Sequence, residues 1–532
     1  MRALVVGSDR LARRVLDGLS REGIAATTLA PTGSWLQTAP SKESHPPVAA
    51  VSDVVAALSR SDLSASDVLL AITDKDDLNL GAALAAREVN PRIRLVVRLF
   101  DVDLAPQVAA LLPGATVLGL GAISAATFAL AGRSPGVLWA HESDGGFLVL
   151  RAVPSREPAA GTVLAAARGN DVTWLGPGEP PPGDAGTLLV AARPSGIPLH
   201  AVRHAADEKA PLIEWEGRRL LLPAAVAFAL VLAGATAWFR FRLGMPFLDA
   251  LYFATTVLTT VGFGDFNLRS ADEASKAVGI VAMLSGVLLS AVLFGLVVNY
   301  LLARQSAAEH GRKALKLRGH VVVCGLGGVG YRVAQALRRL GEPIAVIEAD
   351  EESRFVRDAR SAGIPVVIGS AADDRSHRLA ATAHARSAVI CTEKDSLNVE
   401  IALGLRAREK DLPIVLRAFD PDLSRRIAPL LGTGGAFSGA ALAAPRFVAA
   451  AAGTDRIASL RFAGARFDVR EVSLGPDETV AAAADRFAAR PVALIRPGAA
   501  LASPPDDTAT GGPGAALLLV VPAAPSRTTG PS

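Results

Sequence analysis

Thr259-Thr260-Val261-Gly262-Phe263-Gly264-Asp265 is the stretch on which the fold of this chain turns. Gly262 and Gly264 can reach positive φ without a Cβ clash, so successive carbonyls can be turned toward one axis. Thr260 adds a hydroxyl at one end of the run. Where several copies of such a loop meet on a common axis, their oxygens can replace the water shell of a bare cation. So short a motif recurs by chance, and its flanks decide whether it has that meaning.

The flanks are membrane-like. The chain has 532 residues and a mean hydropathy of +0.35, and its length predicts several domains. Residues 220–239 and 277–302 contain no charged side chain. About 20 apolar residues at roughly 1.5 Å each cross a hydrocarbon core of about 30 Å. Each run is therefore expected to be a transmembrane helix rather than a buried core helix. Pro223 lies near the start of the first, where a missing N–H matters little. Residues 247–259 are too short to cross and suit a re-entrant pore helix, whose C-terminal dipole end favours a cation. Arg203, Lys209, Arg218 and Arg219 precede the first span, and Arg304, Arg312, Lys313, Lys316 and Arg318 follow the second. Arg240, Arg242, Arg269 and Lys276 lie between them. This excess predicts that both termini are cytoplasmic, with Trp238 and Phe239 in the outer aromatic belt. The apolar run at Met1–Gly7 lacks the core and cleavage site of a signal peptide, so the N-terminal domain is expected to stay in the cytosol.

A repeat brackets the spans. Thr73-Asp74-Lys75-Asp76-Asp77-Leu78-Asn79 matches Thr392-Glu393-Lys394-Asp395-Ser396-Leu397-Asn398 at an offset of 319 residues. At the same offset Leu84 falls on Leu403 and Arg87 on Arg406. Arg98, Phe100, Asp101, Asp103 and Leu104 fall on Arg417, Phe419, Asp420, Asp422 and Leu423. Nearer the start the offset is 318, and Gly7 falls on Gly325. In the second copy, apolar runs at 321–324, 344–348, 388–391 and 413–416 predict strands, with a helix over 331–340. That alternation argues for an α/β, Rossmann-like, doubly wound parallel sheet in each copy.

Gly325-Leu-Gly327-Gly-Val-Gly330 occupies the first strand-to-helix turn, and Glu348 follows 18 residues after Gly330. Together they form a dinucleotide fingerprint. The glycines let a pyrophosphate approach the helix N-terminus. Glu348, with Asp350 as second candidate, would accept from a ribose hydroxyl. An acid there favours NAD, ADP or ATP over NADP. Thr392 and Arg417, at later strand ends, are candidate phosphate-side contacts, although Arg417 reads equally as a surface or dimer salt bridge. The first copy departs from this pattern: Asp9 replaces the second glycine, Ala12 the third, and Ala30 the acid. It is not expected to bind a dinucleotide in the usual way.

Residues 260–264 resemble the selectivity filter of potassium channels, with Phe263 where tyrosine is usual. Lacking the hydroxyl, Phe263 is expected to brace the filter by packing alone. The repeated domains resemble RCK domains, the regulators of potassium conductance, also called the TrkA-N type. The resemblance divides the chain into an RCK N-lobe at 1–140 with a degenerate nucleotide motif and a C-lobe-like part at 141–205. A two-span, all-α pore domain follows at 206–304. A second N-lobe at 316–452 and C-lobe at 453–525 come next, with a disordered tail at 526–532. It implies a ligand-gated channel subunit, not an enzyme, with K+ as permeant ion. A NAD-, ADP- or ATP-type nucleotide is expected at the second copy, with a divalent cation left open and any metal ligands unknown. Four chains would give a homotetramer with an eight-RCK gating ring in the lipid bilayer of a bacterial-type cell membrane. The resemblance also implies an aromatic cuff of Tyr252 and Phe253, support from Asp265, and a gating bend at Gly286, with Gly279 and Gly295 as alternatives. Ser370, in Gly369-Ser370-Ala371, stands near the adenosine where the family often has Gly-Asp-Ala. The rivals are a regulatory membrane subunit of a potassium transporter and a membrane-anchored NAD-dependent oxidoreductase.

Other features point to little further chemistry. Cys324 and Cys391 are expected on neighbouring strands, more as small core residues than as a redox pair. The eight histidines show no metal-ligand spacing. Acidic Asp74–Asp77 and Glu351–Glu352 read as solvated turns. A formal charge of +4 with no basic-aromatic pattern gives no sign of nucleic-acid binding.

Overall fold

The computed structural model describes residues 1–29, 58, 63, 66–100, 104–201, 218–309, 315–418, 427 and 435–522. Ala30, Asp101, Asp103, Phe419, Asp420, Asp422, Leu423, Arg203, Lys209, Arg312, Lys313 and the tail 526–532 lie outside the described residues. Two compact units are present: residues 1–207 with 315–532, and residues 208–314.

In the first unit, β1 (Arg2–Val6), α1 (Arg10–Arg21), β2 (Ala25–Leu29), β3 (Val68–Ala71), α2 (Asp76–Val89), β4 (Arg94–Arg98), α3 (Ala105–Leu111) and β5 (Thr116–Leu118) build a parallel sheet of order β2-β1-β3-β4-β5. β1 and β3 are covered on both faces, which is why they read as unbroken apolar runs. α4 (Leu120–Arg133) leads into an antiparallel lobe of β6 (Val137–Ser143), β7 (Gly146–Pro154), β8 (Thr162–Arg168), β9 (Asp171–Trp174) and β10 (Thr187–Ala192).

Among the described residues, the second unit holds three helices: α5 (Arg218–Arg242), α6 (Phe247–Leu258) and α7 (Glu273–Glu309). Their common core is small, centred on Phe239, Ala250, Phe253, Ala254, Leu258 and Ala282. Leu222, Leu230, Leu284 and Phe294 are each at least 68% exposed. A core helix of a soluble protein would bury them, whereas lipid accepts them. Phe239 departs from the belt position expected of it: it is fully buried, its ring 4.7 Å from that of Phe253. Apolar residues around the whole of α5 had hidden which face turns inward.

The repeat resumes with β11 (Val321–Cys324), α8 (Gly328–Arg339), β12 (Ile344–Glu348), α9 (Arg354–Ser361), β13 (Val366–Ile368), α10 (Asp374–Leu379), β14 (Ser387–Ile390), α11 (Asp395–Arg408), β15 (Ile414–Arg417) and β16 (Gly435–Phe437). The sheet runs β13-β12-β11-β14-β15-β16, all parallel. α12 (Gly439–Ala452), β17 (Arg456–Phe462), β18 (Ala465–Ser473), α13 (Val480–Arg486), β19 (Arg490–Ile495) and β20 (Ala516–Pro522) complete the second lobe, in the order β17-β18-β20-β19. The two copies share one apolar core, in which α1 meets α12 and α4 meets α8. The repeat is thus folded as a pseudo-symmetric pair within one chain.

Candidate functional site

After α6, the chain folds back onto the last turn of that helix. Thr259 N–H donates to Thr255 O at 2.9 Å, and Gly262 N–H to Thr256 O at 3.2 Å. Thr260, Gly262 and Gly264 have φ of +64°, +50° and +83°, whereas Val261 and Phe263 are not in the left-handed region. Alternation between the two hands sends successive carbonyls to one side, as the spacing of the glycines anticipated. Thr260 is a β-branched residue in a region it rarely enters, a strained geometry typical of ligand-holding backbone. Tyr252, Phe253 and Phe266 cluster behind this run with centroid separations of 6.1 and 6.2 Å. The Tyr252 hydroxyl interacts with the Asp265 carboxylate. Val261 and Phe263 are exposed in the single chain. At Gly286, an added Cβ would lie 2.6 Å from the Leu258 backbone. That glycine therefore lets α7 approach the end of α6, whether or not α7 bends there.

In the second copy, Gly325, Gly327, Glu348, Asp350, Ser370 and Thr392 line one cavity of about 430 Å³. Gly330 lies behind the turn, where a Cβ would sit 2.0 Å from Gly325 O, so only glycine permits the helix to start this close to β11. The carboxylate of Glu348 accepts from Leu326 N–H in the glycine turn and from Asp350 N–H at 2.9 Å. The acid thus sits at the rim of the helix N-terminus, within the cavity. Arg417 is not in this cavity. It lines an adjoining cleft of about 370 Å³ with Asp9, Arg10, Arg98, Lys394 and Asp395. Burial lowers its pKa from the ordinary arginine value, with Cys391, Glu393 and Asp395 opposing that shift. Phe100, from the first copy, also walls the nucleotide-sized cavity. A Cβ on Gly328 would meet its ring at 2.5 Å. Motif reading within one copy could not have found Phe100, because the other copy supplies it.

Thr392 has a structural duty that both copies share. Its hydroxyl and N–H donate to Asn398 Oδ1, while Asn398 Nδ2 donates to Arg417 O at 2.9 Å. Thr73 and Asn79 do the same in the first copy, with Asn79 Nδ2 donating to Arg98 O at 2.9 Å. The repeated Thr…Asn motif therefore ties two neighbouring strand ends together, with or without a fingerprint.

At the first copy's turn, Asp9 caps α1 by accepting from Ala12 N–H at 2.9 Å. It also pairs with Arg98 at 2.5 Å. A carboxylate thereby occupies the helix N-terminus, where a phosphate would otherwise bind. Cys324 and Cys391 are adjacent, with Cys391 N–H donating to Cys324 O at 2.8 Å, and both are fully buried. Burial raises the pKa of Cys324 and pushes that of Cys391 up to about 12, so neither is a ready thiolate. Among the described residues no cluster of His, Cys, Asp and Glu could hold a metal. Asp76 instead accepts from Phe100 N–H at 2.7 Å, and Glu351 lies 3.9 Å from Arg360.

Comparison with known proteins agrees with this geometry. An ion channel family model matches residues 226–303, and a TrkA-N domain model matches 321–433. The first match falls on the two long apolar helices and the second on the second sheet domain. Potassium channel protein 1 of Methanocaldococcus jannaschii is 24% identical over 188 residues, 34% of this chain and 54% of that protein. The same organism's probable potassium channel protein 2 is 22% identical over 190 residues, 35% of this chain and 55% of that protein. The chain thus spans about half the length of these curated relatives. A crystal structure of the GsuK RCK domain shares the fold, with a TM-score of 0.50 at 15% identity, covering 98% of this chain and 92% of that one. The ion channel match over the two long apolar helices marks a membrane protein, and its sheet domains have the fold of RCK domains.

Proposed function

We propose that the chain is a subunit of a ligand-gated potassium channel. The observation that carries this reading is the alternation of φ at Thr260, Val261, Gly262, Phe263 and Gly264, between two helices long enough to cross a bilayer. Carbonyls aimed to one side make half a cage at best, and rings of four close it. A homotetramer is therefore part of the proposal, and two sheet domains per chain supply eight for a gating ring. α6 serves as a re-entrant pore helix, Tyr252, Phe253 and Asp265 support the filter, and Gly286 is the proposed bend. The chain sits in the cell membrane with both termini in the cytoplasm.

Gating is assigned to the second copy. Its cavity offers a bare helix N-terminus for phosphates, Glu348 and Asp350 for ribose hydroxyls, and Ser370 and Phe100 as flanking walls. NAD, ADP or ATP fits that donor and acceptor set. Occupancy of the cavity shifts the pore only if the nucleotide binds the open and closed forms unequally.

Liposomes containing this protein alone, assayed for potassium over sodium flux, test the proposal. Flux that responds to ATP, ADP, NAD or NADH is the expected result. Absence of flux under every condition would sink it and favour a regulatory subunit of a separate transporter. Turnover of NADH would favour the oxidoreductase.

A further inference from the structure

A cavity of about 580 Å³, larger than either nucleotide-side cavity, lies where α1 and α12 meet the β17–β18 hairpin. Gly18 allows that crossing, since a Cβ there would lie 2.5 Å from Val448 Cγ2. Five arginines line the cavity: Arg14 and Arg21 from α1, and Arg456, Arg461 and Arg466 from the hairpin. Asp17 also lines it. Carboxylates nearby answer part of this charge. Arg456 pairs with Glu22 and with Asp468 at 3.5 Å, and Arg466 lies 3.8 Å from the same Asp468. Arg21 and Arg461 have no ion-pair partner among the described residues. The Nε of Arg456 is buried without an acceptor.

Arginines on a surface are ordinary, but the repeat supplies a control. Arg14 and Arg21 fall on Arg332 and Arg339 at the 318 offset, whereas Arg456, Arg461 and Arg466 fall on Val137, Glu142 and Phe147 at the 319 offset. The hairpins confirm this equivalence: Arg461 stands opposite Arg466, and Glu142 opposite Phe147. On the mate side, Glu142 neutralises Arg339 at 2.5 Å. The same architecture therefore forms without hairpin arginines. On this side two like charges face each other across paired strands, an arrangement that weakens a sheet unless something else compensates. A bound anion does so.

We propose that this cavity is a second anion site, distinct from the glycine turn. It takes a phosphorylated organic molecule of nucleotide size. The phosphates lie against Arg21 and Arg461, whose planar forks match phosphate oxygens. The ring portion lies on the apolar floor of Ala441, Ala444, Pro445 and Leu460. The volume falls within the usual range for small-molecule pockets.

The test uses full-length protein in detergent, with Gly327→Asp introduced to silence the glycine turn. Equilibrium dialysis follows ATP and, separately, inorganic pyrophosphate. Retained ATP binding that pyrophosphate displaces is expected. Arg21→Glu with Arg461→Glu should weaken both probes at least about tenfold, while Arg21→Lys with Arg461→Lys weakens them less. Should the double reversal fail to fold, Arg461→Gln is read in its place, with a loss of about threefold or more expected. No binding of either probe in the Gly327→Asp background up to about 5 mM overturns the site. So does unchanged affinity in the folded charge variants.

Discussion

The two sheet domains share the order of five parallel strands and the Thr…Asn tie, yet part at the first strand-to-helix turn. In the second copy, Gly327 leaves the N-terminus of α8 open and Glu348 sits at the rim. In the first, Asp9 caps α1 and binds Arg98, the counterpart of Arg417. One copy keeps its helix N-terminus available to a guest anion, while the other fills it with an anion of its own. From the sequence, Asp9 takes the place of a fingerprint glycine, beside which a pyrophosphate would lie. The structure adds that the Asp9 carboxylate itself stands at the helix N-terminus, so the turn keeps its fold with an anion of its own in place. The surviving copy gains something in exchange, since Phe100 of the filled copy walls its cavity.

The largest expected effect comes from making the second copy resemble the first. An added Cβ at Gly327 meets only Glu393 Oε1 at 3.7 Å, so Gly327→Asp should fold normally. Its carboxylate would cap α8 and exclude the guest phosphate. Titration calorimetry with NAD and ADP in an Arg21→Glu, Arg461→Glu background, which disables the hairpin cavity, should show at least about a hundredfold loss. Retained affinity would show that the glycine turn does not hold the nucleotide. Gly330→Ala is the complementary change. Ala12 holds that position in the first copy and is fully buried, whereas in the second a Cβ would strike Gly325 O at 2.0 Å. Thermal melting should report about 2–3 kcal/mol of destabilisation. Little change would mean that the two turns are more alike than their contacts indicate.

How much of this was legible beforehand depends on how local the cause is. β11 and β12 were readable to the residue, because strands covered on both faces leave continuous apolar runs. The start of α8 at Gly328 was not, because glycines in a first turn hide a helix from periodicity and propensity alike. Six candidate site residues, three of them from the fingerprint, line one cavity, but Arg417 turns into the neighbouring cleft. The Asp9–Arg98 pair spans 89 residues and leaves no local signature. The repeat itself held the clue, since Arg98 and Arg417 match while Asp9 and Gly327 do not. In the pore, glycine spacing announced the turned carbonyls, whereas the positive φ of Thr260 followed from no residue preference.

Acid sharpens the comparison further. His320 precedes β11, and its counterpart in the first copy is Arg2. Its Nε2 donates to Ala380 O at 2.8 Å, and its Nδ1 is buried without a partner. Burial, aided by the charge of His384 and opposed by the Ala380 contact, holds its pKa down to about 4 against an ordinary 6.5. The folded form therefore keeps this imidazole neutral while the unfolded chain takes up a proton. Its contribution is fully present above about pH 6.5 and is lost as pH falls toward 4, with about 2 kcal/mol gone by about pH 5. His320→Gln should flatten the acid limb of the melting profile, and an unchanged limb would place the sensitivity elsewhere.

The smallest effect is the most pointed, because it asks what Asp9 contributes where it now sits. Asp9→Asn keeps an acceptor for Ala12 N–H but removes the charge facing Arg98, and Arg98→Gln removes the other partner. A double-mutant cycle on these two changes should give a coupling of about 1 kcal/mol, since the pair is only partly buried. The coupling should shrink in high salt. Asp9→Gly goes further and empties the turn. It should lose the cap and the pair together, about 1–2 kcal/mol, and still bind no nucleotide at that turn, because Ala30 offers no carboxylate to a ribose. If Asp9→Gly instead adds a nucleotide site, one carboxylate is all that separates the two copies, and the asymmetry of the pair is a single substitution deep.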